Sequence, residues 1–151
     1  MPGEITLTRL PGRLQHHPFA DVIKLRIDAQ GAGRSTCSIE IVPEIHHNPH
    51  DVTHGAVLYA LADTGMGVAL YPTLETGESC ATIEIKMTYF RPARAGLVRC
   101  ETELLNRGRN IANLDSRLYL DDKLIAQANG NYAILRPRPQ DPKTSAAEDL
   151  L

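Results

Sequence analysis

One apolar segment restricts the fold of this chain more than any other feature of its sequence. Residues 54–70 contain no proline and few β-branched residues, and their side chains are apolar nearly all the way round a helical projection. This pattern predicts one helix that is buried on most of its faces. The remainder of the 151 residues must therefore supply the surface that covers it.

Runs of alternating apolar and polar residues, which are typical of half-buried strands, occur on both sides of this segment. The six runs are residues 22–28, 35–42, 81–90, 97–106, 110–120 and 124–135. A glycine-containing turn at 30–33 predicts a hairpin between the first two runs, and short turns join the last four. Because short turns connect antiparallel neighbours, the sequence predicts an α+β fold, with one curved antiparallel sheet wrapped around a long central helix.

The run 81–90 also predicts which side chains of one strand face the helix. Ile83, Ile85, Met87 and Tyr89 form one set, and Thr82, Glu84, Lys86 and Thr88 form the other. Successive side chains of a strand point to opposite faces. We therefore expect the first set to face the core and the second set to face solvent.

The sequence predicts a single domain with two less ordered ends. Residues 1–17 are expected to form a loosely ordered leader, and residues 18–135 the domain. Residues 136–151 are proline-rich, charged and aperiodic, which predicts a disordered tail. Residues 43–53 are polar and rich in histidine, which predicts a loop before the helix.

Composition excludes several classes of partner. Sixteen Lys and Arg against eighteen Asp and Glu give a net charge of −2, and there is no Trp. Such a chain lacks the basic excess and the stacking surface that nucleic-acid binding requires. No signal peptide is visible, three cysteines show no CxxC spacing, and the apolar stretch 56–70 is too short for a membrane span. We therefore expect a cytoplasmic protein with no membrane partner.

Asp63 is the most informative residue of the apolar helix. An ionised carboxylate among apolar side chains is costly unless it has partners or reaches water. No charged residue lies three or four positions away on either side, so no local ion pair accounts for it. Two interpretations stay open: Asp63 lies on a narrow exposed stripe or caps a helix that restarts after Ala62, or it faces a cleft in a functional site.

The segment that leads into the helix contains four of the six histidines, His46, His47, His50 and His54. His50 and His54 are four residues apart, but they straddle the junction between loop and helix, and no cysteine is near. The spacing gives only weak support to a zinc site, and we expect no bound metal. Solvent exposure is the simplest interpretation of His46 and His47.

The start of the helix at His54 and Gly55 offers a different chemistry. Backbone N–H groups in the first turn of a helix lack intrahelical acceptors, and together with the helix dipole they stabilise negative charge. They can therefore hold the oxyanion that develops when a carbonyl is attacked. Asn48 offers a side-chain amide to the same region.

Two motifs carry a resemblance to a known family. The first is Asn48-x5-His54-Gly55-Ala56-x3-Ala60-Leu61-Ala62-Asp63-Thr64, and the second is TIEIKMTYFRPA at residues 82–93. Together they resemble the hotdog-fold acyl-CoA thioesterases, above all those of phenylacetate degradation and their hydroxybenzoyl-CoA relatives, over about residues 19–135. The resemblance implies a hotdog fold and hydrolysis of a small or medium acyl- or aryl-CoA without a cofactor. One departure is Ala56, where the family usually has a second glycine.

The resemblance also implies roles for single residues. Asp63 would be the nucleophile or general base. The backbone N–H of Gly55, which follows the motif histidine His54, would polarise the thioester carbonyl. Asn48 would orient water or substrate, and the hydroxyl of Thr82 would lie near the carboxylate.

Coenzyme A carries phosphates, so basic residues are expected near the mouth of the site. Four arginines lie in or beside turns that follow predicted strands: Arg91, Arg94, Arg107 and Arg109. Arg91, Arg107 and Arg109 are the candidates for contact with CoA. Ordinary solvated surface is the alternative for each of them.

The spacing of Gly55 and Asp63 has a consequence for assembly. Eight residues of helix correspond to about 12 Å along its axis. One carbonyl cannot contact both groups of the same helix, so a shared site requires a second chain, which a twofold dimer supplies. The resemblance implies the same arrangement, commonly as a dimer of dimers, that is, a homotetramer.

Two other functions are kept as alternatives. A hotdog dehydratase or hydratase would use a catalytic histidine with a carboxylate on a different motif, which is absent here. A non-catalytic acyl-CoA-binding protein would hold the ligand without turnover, but Asp63 would then be a cost without a use.

Overall fold

Six strands form one antiparallel sheet in the computed structural model, which describes residues 17–137. The strands are β1 (Leu25–Gly31), β2 (Arg34–Glu40), β3 (Ser79–Tyr89), β4 (Leu97–Arg107), β5 (Ile111–Leu120) and β6 (Lys123–Leu135). The helices are α1 (Pro18–Val22), α2 (Pro43–His46) and α3 (Gly55–Leu70), and a short 3-10 turn (Tyr71–Thr73) follows α3. Apart from residues 17, 136 and 137, the predicted leader and tail lie outside the described residues.

The sheet has the strand order β1-β2-β4-β5-β6-β3, so β1 and β3 are its edges. Every neighbouring pair is antiparallel, and α3 contacts all six strands. The predicted α+β fold, a curved antiparallel sheet around one long central helix, is therefore confirmed. The predicted runs begin and end within three residues of the observed strands, whereas the predicted loop 43–53 also contains the short helix α2.

The helix α3 is buried along most of its length. Its buried residues are Leu58, Ala60, Leu61, Ala62, Gly65, Met66, Val68, Ala69 and Leu70. Complete burial of one such side chain as large as leucine contributes about 1.5–3 kcal/mol. Within the described chain, no helix is both long and apolar enough to cross a membrane.

Polar side chains of the sheet fix the position of α3. Ser35 donates a hydrogen bond to the carbonyl of Gly65 at 2.7 Å, and Gln30 donates one to the carbonyl of Val68 at 2.9 Å. Gly65 also allows close approach, because a Cβ at this position would lie 2.8 Å from Oγ1 of Thr102. These contacts decide which residues of α3 reach the β3 edge of the sheet.

The predicted alternation along β3 is wrong in its first half because the strand contains a β-bulge. The register of β3 against β6 shifts between Thr82 and Glu84, and Ile83 is the additional residue. Ile83 is 54% exposed and does not face the core. The bulge reverses the alternation, so Thr82 lies on the same inner face as Ile85 and points toward α3.

Candidate active site

Asp63 lies in the middle of α3, on the side that faces β3 and β6, and it is partly exposed. Thr82 Oγ1 donates to its Oδ1 at 2.8 Å, and the hydroxyl of Tyr132 lies 2.5 Å from the same oxygen. The Tyr132 hydroxyl is also 2.9 Å from the main-chain carbonyl oxygen of Asp63. Because α3 continues without a break through this position, Asp63 does not cap a restarted helix.

The carboxylate of Asp63 has polar partners but no counter-ion in the described chain. Among residues 17–137, no Lys, Arg or His side chain lies within 4 Å of it. A nearby cation would neutralise a carboxylate and weaken it as a base or nucleophile. The arrangement therefore orients the carboxylate without a cation that would neutralise it.

Tyr132 is the residue of this site that the sequence analysis missed. It is 3% exposed, and it lies on the inner face of β6 directly opposite Thr82. Buried tyrosine hydroxyls require a hydrogen-bond partner. A tyrosine at an inward position of a predicted strand is therefore a signal that could have identified it.

The titratable groups beside Asp63 are held in their neutral forms. Burial is the largest cause that raises the pKa of Tyr132 far above its usual value, and the hydrogen bond to Asp63 raises it further. On β3, burial and then the charge of Asp63 raise the pKa of the Cys80 thiol. Both side chains are neutral at pH 7, so Tyr132 is present there as a hydrogen-bond donor.

A mostly apolar cavity of about 260 Å³ lies along α3 on the C-terminal side of Asp63, and two of its lining residues, Thr64 and Cys80, neighbour Asp63. Its walls are formed by His17, Thr64, Gly67, Val68, Tyr71, Ser79 and Cys80. Gly67 contributes open space, because a Cβ at this position would have no neighbour within 4 Å. A cavity of this kind can hold a small apolar group next to the carboxylate.

The N-terminus of α3 has an available backbone donor. His54 caps the helix, since its Nδ1 accepts the Ala56 N–H at 2.9 Å and its carbonyl accepts the Val57 N–H at 2.9 Å. Within residues 17–137, the N–H of Gly55 has no hydrogen-bond acceptor. It can therefore donate to an oxyanion.

A second cavity, of about 350 Å³, opens beside Gly55, and Arg91 contributes to its wall. Tyr89, the last residue of β3, donates a hydrogen bond to the Gly55 carbonyl at 2.9 Å. Thr82 on the same strand contacts Asp63. The edge strand β3 thus contacts α3 at both groups that the sequence analysis selected.

Asn48 shapes the loop before α3. Its Oδ1 accepts the backbone N–H of His50 at 2.9 Å, and its own N–H donates to the carbonyl of Val52 at 2.8 Å. Asp51, inside this turn, has a φ of 56°. The side-chain oxygen of Asn48 is therefore engaged, and no described residue accepts a hydrogen bond from its Nδ2.

The interpretation of His46 as solvent-exposed is wrong, because the segment after α1 packs over it. His46 is completely buried, its Nδ1 accepts the Val42 N–H at 2.9 Å, and its Nε2 donates to the Ile23 carbonyl at 2.7 Å. Nε2 of His47 donates to the Arg94 carbonyl at 2.7 Å. Across residues 17–137, no group of three or more His, Cys, Asp or Glu side chains is placed to hold a metal ion.

The candidate arginines differ in what they already bind. Arg107 forms an ion pair with Glu78 at 2.8 Å, and its side chain is 23% exposed, so its guanidinium group is already engaged within the chain. Arg91 and Arg109 are exposed. Arg91 lies near the start of β6, whereas Arg109 lies near its end. In one chain these two arginines are therefore at opposite ends of the sheet.

The chain is similar to known proteins in sequence and in fold. The family model described as Thioesterase superfamily matches residues 50–126, which include Gly55, Asp63 and Thr82.

A mutant form of a phenylacetic acid degradation protein of Thermus thermophilus has 27% sequence identity and a TM-score of 0.73, over 79% of this chain and 100% of that chain. A mutant form of a thioesterase of Pseudomonas aeruginosa has 25% identity and a TM-score of 0.75, over 82% of this chain and 89% of that chain. A conserved protein of Pseudomonas aeruginosa has 27% identity and a TM-score of 0.75, over 83% of this chain and 100% of that chain.

Proposed function

Because the chain belongs to the thioesterase superfamily and is a thioester hydrolase, we propose that its substrates are acyl-CoA thioesters. In this proposal Asp63 is the reactive carboxylate. The observation that carries the proposal is the arrangement at Asp63. Two hydroxyls hold one of its oxygens, and no cationic side chain of residues 17–137 neutralises it. A carboxylate with these contacts is oriented and available for chemistry.

Asp63 acts in one of two ways in this proposal. As a general base it removes a proton from a water molecule that attacks the thioester carbon, and as a nucleophile it attacks that carbon itself. The second route forms a mixed anhydride, which water then hydrolyses. In both routes the carbonyl oxygen becomes an oxyanion that the N–H of Gly55 stabilises. In the general-base route the C–S bond then breaks, and the thiolate of coenzyme A takes up the proton that Asp63 removed from water. In the nucleophilic route the C–S bond breaks as the anhydride forms, and the water that later hydrolyses the anhydride supplies the proton for the thiolate.

Each site in the proposal lies between two chains. Eight residues of α3 separate Gly55 from Asp63 by about 12 Å, so one carbonyl cannot contact both groups of one chain. The edge strand β3 supports pairing with a second copy, because Ile83, Tyr89 and Phe90, on or just after this strand, are about half exposed. Unpaired strand edges with exposed apolar side chains are typical sites of association.

Antiparallel pairing of β3 with its copy would join the two halves of the site. Tyr89 at one end of β3 contacts Gly55, and Thr82 nearer the other end contacts Asp63. A twofold axis between the two β3 strands would therefore bring Gly55 of one protomer toward Asp63 of its partner and form two sites per dimer. A dimer of dimers is the larger assembly that the family resemblance implies.

The cavity beside Asp63 supports a small or medium acyl or aryl group. Its volume of about 260 Å³ and its mostly apolar walls suit one aromatic ring or an acyl chain of medium length. We assign the CoA phosphates to Arg91 and Arg109, because Arg107 is already paired with Glu78. Antiparallel pairing of β3 would bring Arg91 of one protomer to the same end of the dimer as Arg109 of its partner.

The cysteines are consistent with the proposal of a cytoplasmic location. Cys37, Cys80 and Cys100 are free thiols. Three cysteines are an odd number and show no CxxC spacing, which is typical of a protein of a reducing compartment.

Release of coenzyme A from a panel of acyl-CoAs, followed with a thiol reagent, tests the proposed function. We expect turnover to fall about 100-fold or more in Asp63→Asn, because the variant lacks the base or nucleophile. Asp122→Asn is the matched control, since Asp122 is 92% exposed in the turn before β6, and it should keep wild-type turnover. Acyl-CoA binding without thiol release would favour a binding protein, and water addition to an enoyl-CoA would favour a hydratase.

A further inference from the structure

Tyr132 contacts Asp63 at two points. Its side chain reaches from the inner face of β6, where it is 3% exposed, to Oδ1 of Asp63 and to the carbonyl oxygen of the same residue. The two distances are 2.5 Å and 2.9 Å. One hydroxyl therefore contacts both the reactive side chain and the backbone that carries it.

The contacts at Asp63 make its two oxygens unequal. Thr82 and Tyr132 both lie within hydrogen-bond distance of Oδ1. In the part of the chain that the structure describes, no N–H or O–H group donates to Oδ2. Rotation of the carboxylate would break both contacts on Oδ1, so Oδ2 is the oxygen that stays available.

We propose that Tyr132 is a positioning residue of the thioesterase site, which holds Oδ1 of Asp63 and so presents Oδ2 to the thioester or to the attacking water. This inference rests on the proposed function of Asp63. Tyr132 acts through Asp63 and not on the substrate, because its hydroxyl is buried on the sheet side of α3.

The pairing of β3 with β6 explains why both hydroxyls reach one oxygen. Thr82 pairs directly with Tyr132, and the bulge that follows Thr82 turns its side chain to the inner face. Gly130, two residues before Tyr132 on the same face of β6, lets α3 come close. A Cβ at Gly130 would lie 2.7 Å from Sδ of Met66, so a larger residue there would force the Met66 side chain of α3 to shift.

The surroundings of Asp63 allow the effect of its hydrogen bond with Tyr132 to be measured from the pH dependence of kcat/KM. Cys80 on β3 and Tyr132 on β6 are titratable side chains whose pKa the charge of Asp63 raises. Tyr59 lies one turn earlier on α3, and His17 lines the same cavity as Cys80. Burial raises the pKa of both Cys80 and Tyr132. Because both are neutral near pH 7, a variant that lacks the Tyr132 hydroxyl changes a hydrogen bond to Asp63 and not a charge.

Tyr132→Phe tests the inference, because it removes one oxygen atom and keeps the ring. We expect kcat to fall about tenfold or more with little change in KM. We also expect the acid limb of the kcat/KM profile to move to higher pH, since a carboxylate that loses a donor ionises less readily. Tyr119→Phe is the matched control, because its ring lies 5.5 Å from the Arg99 guanidinium and away from the site. Its kcat and pH profile should match those of the wild type.

An acid limb that stays in place in folded Tyr132→Phe overturns the inference, even if the melting temperature falls. If Tyr132→Phe does not fold, site-specific incorporation of 3-fluorotyrosine at position 132 alone supplies a second measurement. The more acidic phenol is the stronger donor, so the acid limb should then move to lower pH, and an unmoved limb overturns the inference. If folded Asp63→Asn hydrolyses the thioester at the wild-type rate, both the proposed function and this inference are overturned. If Asp63→Asn is inactive while Tyr132→Phe behaves like the wild type, this inference alone is overturned.

Discussion

Thr82 and Tyr132 lie opposite each other on β3 and β6, and their hydroxyls meet at one oxygen of Asp63. β3 is an edge strand, and among residues 17–137 it pairs with β6 alone. Its contacts at Asp63 and, through Tyr89, at Gly55 tie it to α3 at two points. The candidate site therefore follows the edge of the sheet, where a second chain can contribute its own residues.

Gly55→Pro should remove the proposed oxyanion donor and keep the helix. Gly55 is the first residue of α3, where proline is favoured, and His54 has φ −60° and ψ 135°, which suits a residue before proline. Since no described residue accepts a hydrogen bond from the Gly55 N–H, the variant loses no intramolecular contact of this group. We expect kcat, measured by thiol release, to fall about 100-fold or more.

Gly55→Ala is the matched control for this variant. It keeps the N–H, and its Cβ would lie 3.2 Å from the ring of Tyr89, as a proline Cβ would. Most of the activity should therefore remain. Equal losses in the two variants would show that the contact with Tyr89, and not the missing donor, causes the effect.

Substitutions at Gly67 should separate acyl size from catalysis. The space beside Gly67 admits a methyl group, so Gly67→Ala should stabilise the protein by about 0.5–1 kcal/mol, the usual gain in a helix interior. Gly67→Leu should fill part of the cavity beside Asp63 and lower kcat/KM for large acyl-CoAs more than for acetyl-CoA. The ratio of kcat/KM values across an acyl panel measures this, and a uniform loss would argue against the cavity as the acyl site.

The fold could be predicted because two different periodicities are visible in the sequence. The apolar segment 54–70 has no alternation, whereas the runs around it alternate, and helix and sheet follow from that difference. The short helix α2 was not predicted, because four residues are too few to show a helical period. His46 also escaped prediction, since its burial depends on a contact with Ile23 that is distant in sequence.

The candidate site could be predicted in part. Asp63 was selected from the sequence because a carboxylate in an apolar helix is costly without a role. Tyr132 was not, since its contact with Asp63 depends on how β6 registers with β3 and on how closely α3 packs. The position of Thr82 on the inner face required the bulge, and strict alternation predicted the opposite face.

Glu78 should stabilise the fold in a pH-dependent way. Its carboxylate lies 2.8 Å from both Arg107 and Arg136, and the Glu75 N–H donates to it at 3.0 Å. The Glu75 hydrogen bond first, and then the two guanidinium groups, lower the pKa of Glu78 below its usual value of 4.5. Because the folded-state pKa is depressed, this stabilisation is present above the unfolded-state pKa and is lost as the pH falls through the folded-state value.

Glu78→Gln should therefore lower the free energy of unfolding at pH 7, and the difference from wild type should shrink below about pH 4.5. Urea unfolding at pH 7 and below about pH 4.5 measures this difference in the free energy of unfolding. Glu103→Gln is the control, because its ion pair with Arg34 is more than half exposed on both sides and should contribute little. If the free energy of unfolding of Glu78→Gln differs from that of the wild type by the same amount at pH 7 and below about pH 4.5, the pH-dependent stabilisation by Glu78 is contradicted.

Complementation between two inactive variants should reveal the shared site. In a Gly55→Pro dimer both sites lack the donor, and in an Asp63→Asn dimer both lack the carboxylate. A mixed dimer has one site with Gly55 from the second chain and Asp63 from the first, while its other site lacks both groups. With random exchange half of the dimers are mixed, and each has one complete site of two, so about one quarter of wild-type turnover should return.

The result depends on the distance along α3, because Gly55 and Asp63 of one chain are too far apart to act on one carbonyl. Native mass spectrometry of variants with different mass tags confirms that subunits have exchanged, and mixing each variant with itself is the control. Recovery should then follow the fraction of mixed dimers and disappear when exchange is prevented by cross-linking before mixing. Confirmed mixed dimers that stay as inactive as their parents would contradict the two-chain site. Asp63 would then have to act within its own chain, on a thioester bound farther along the helix and without the N–H of Gly55.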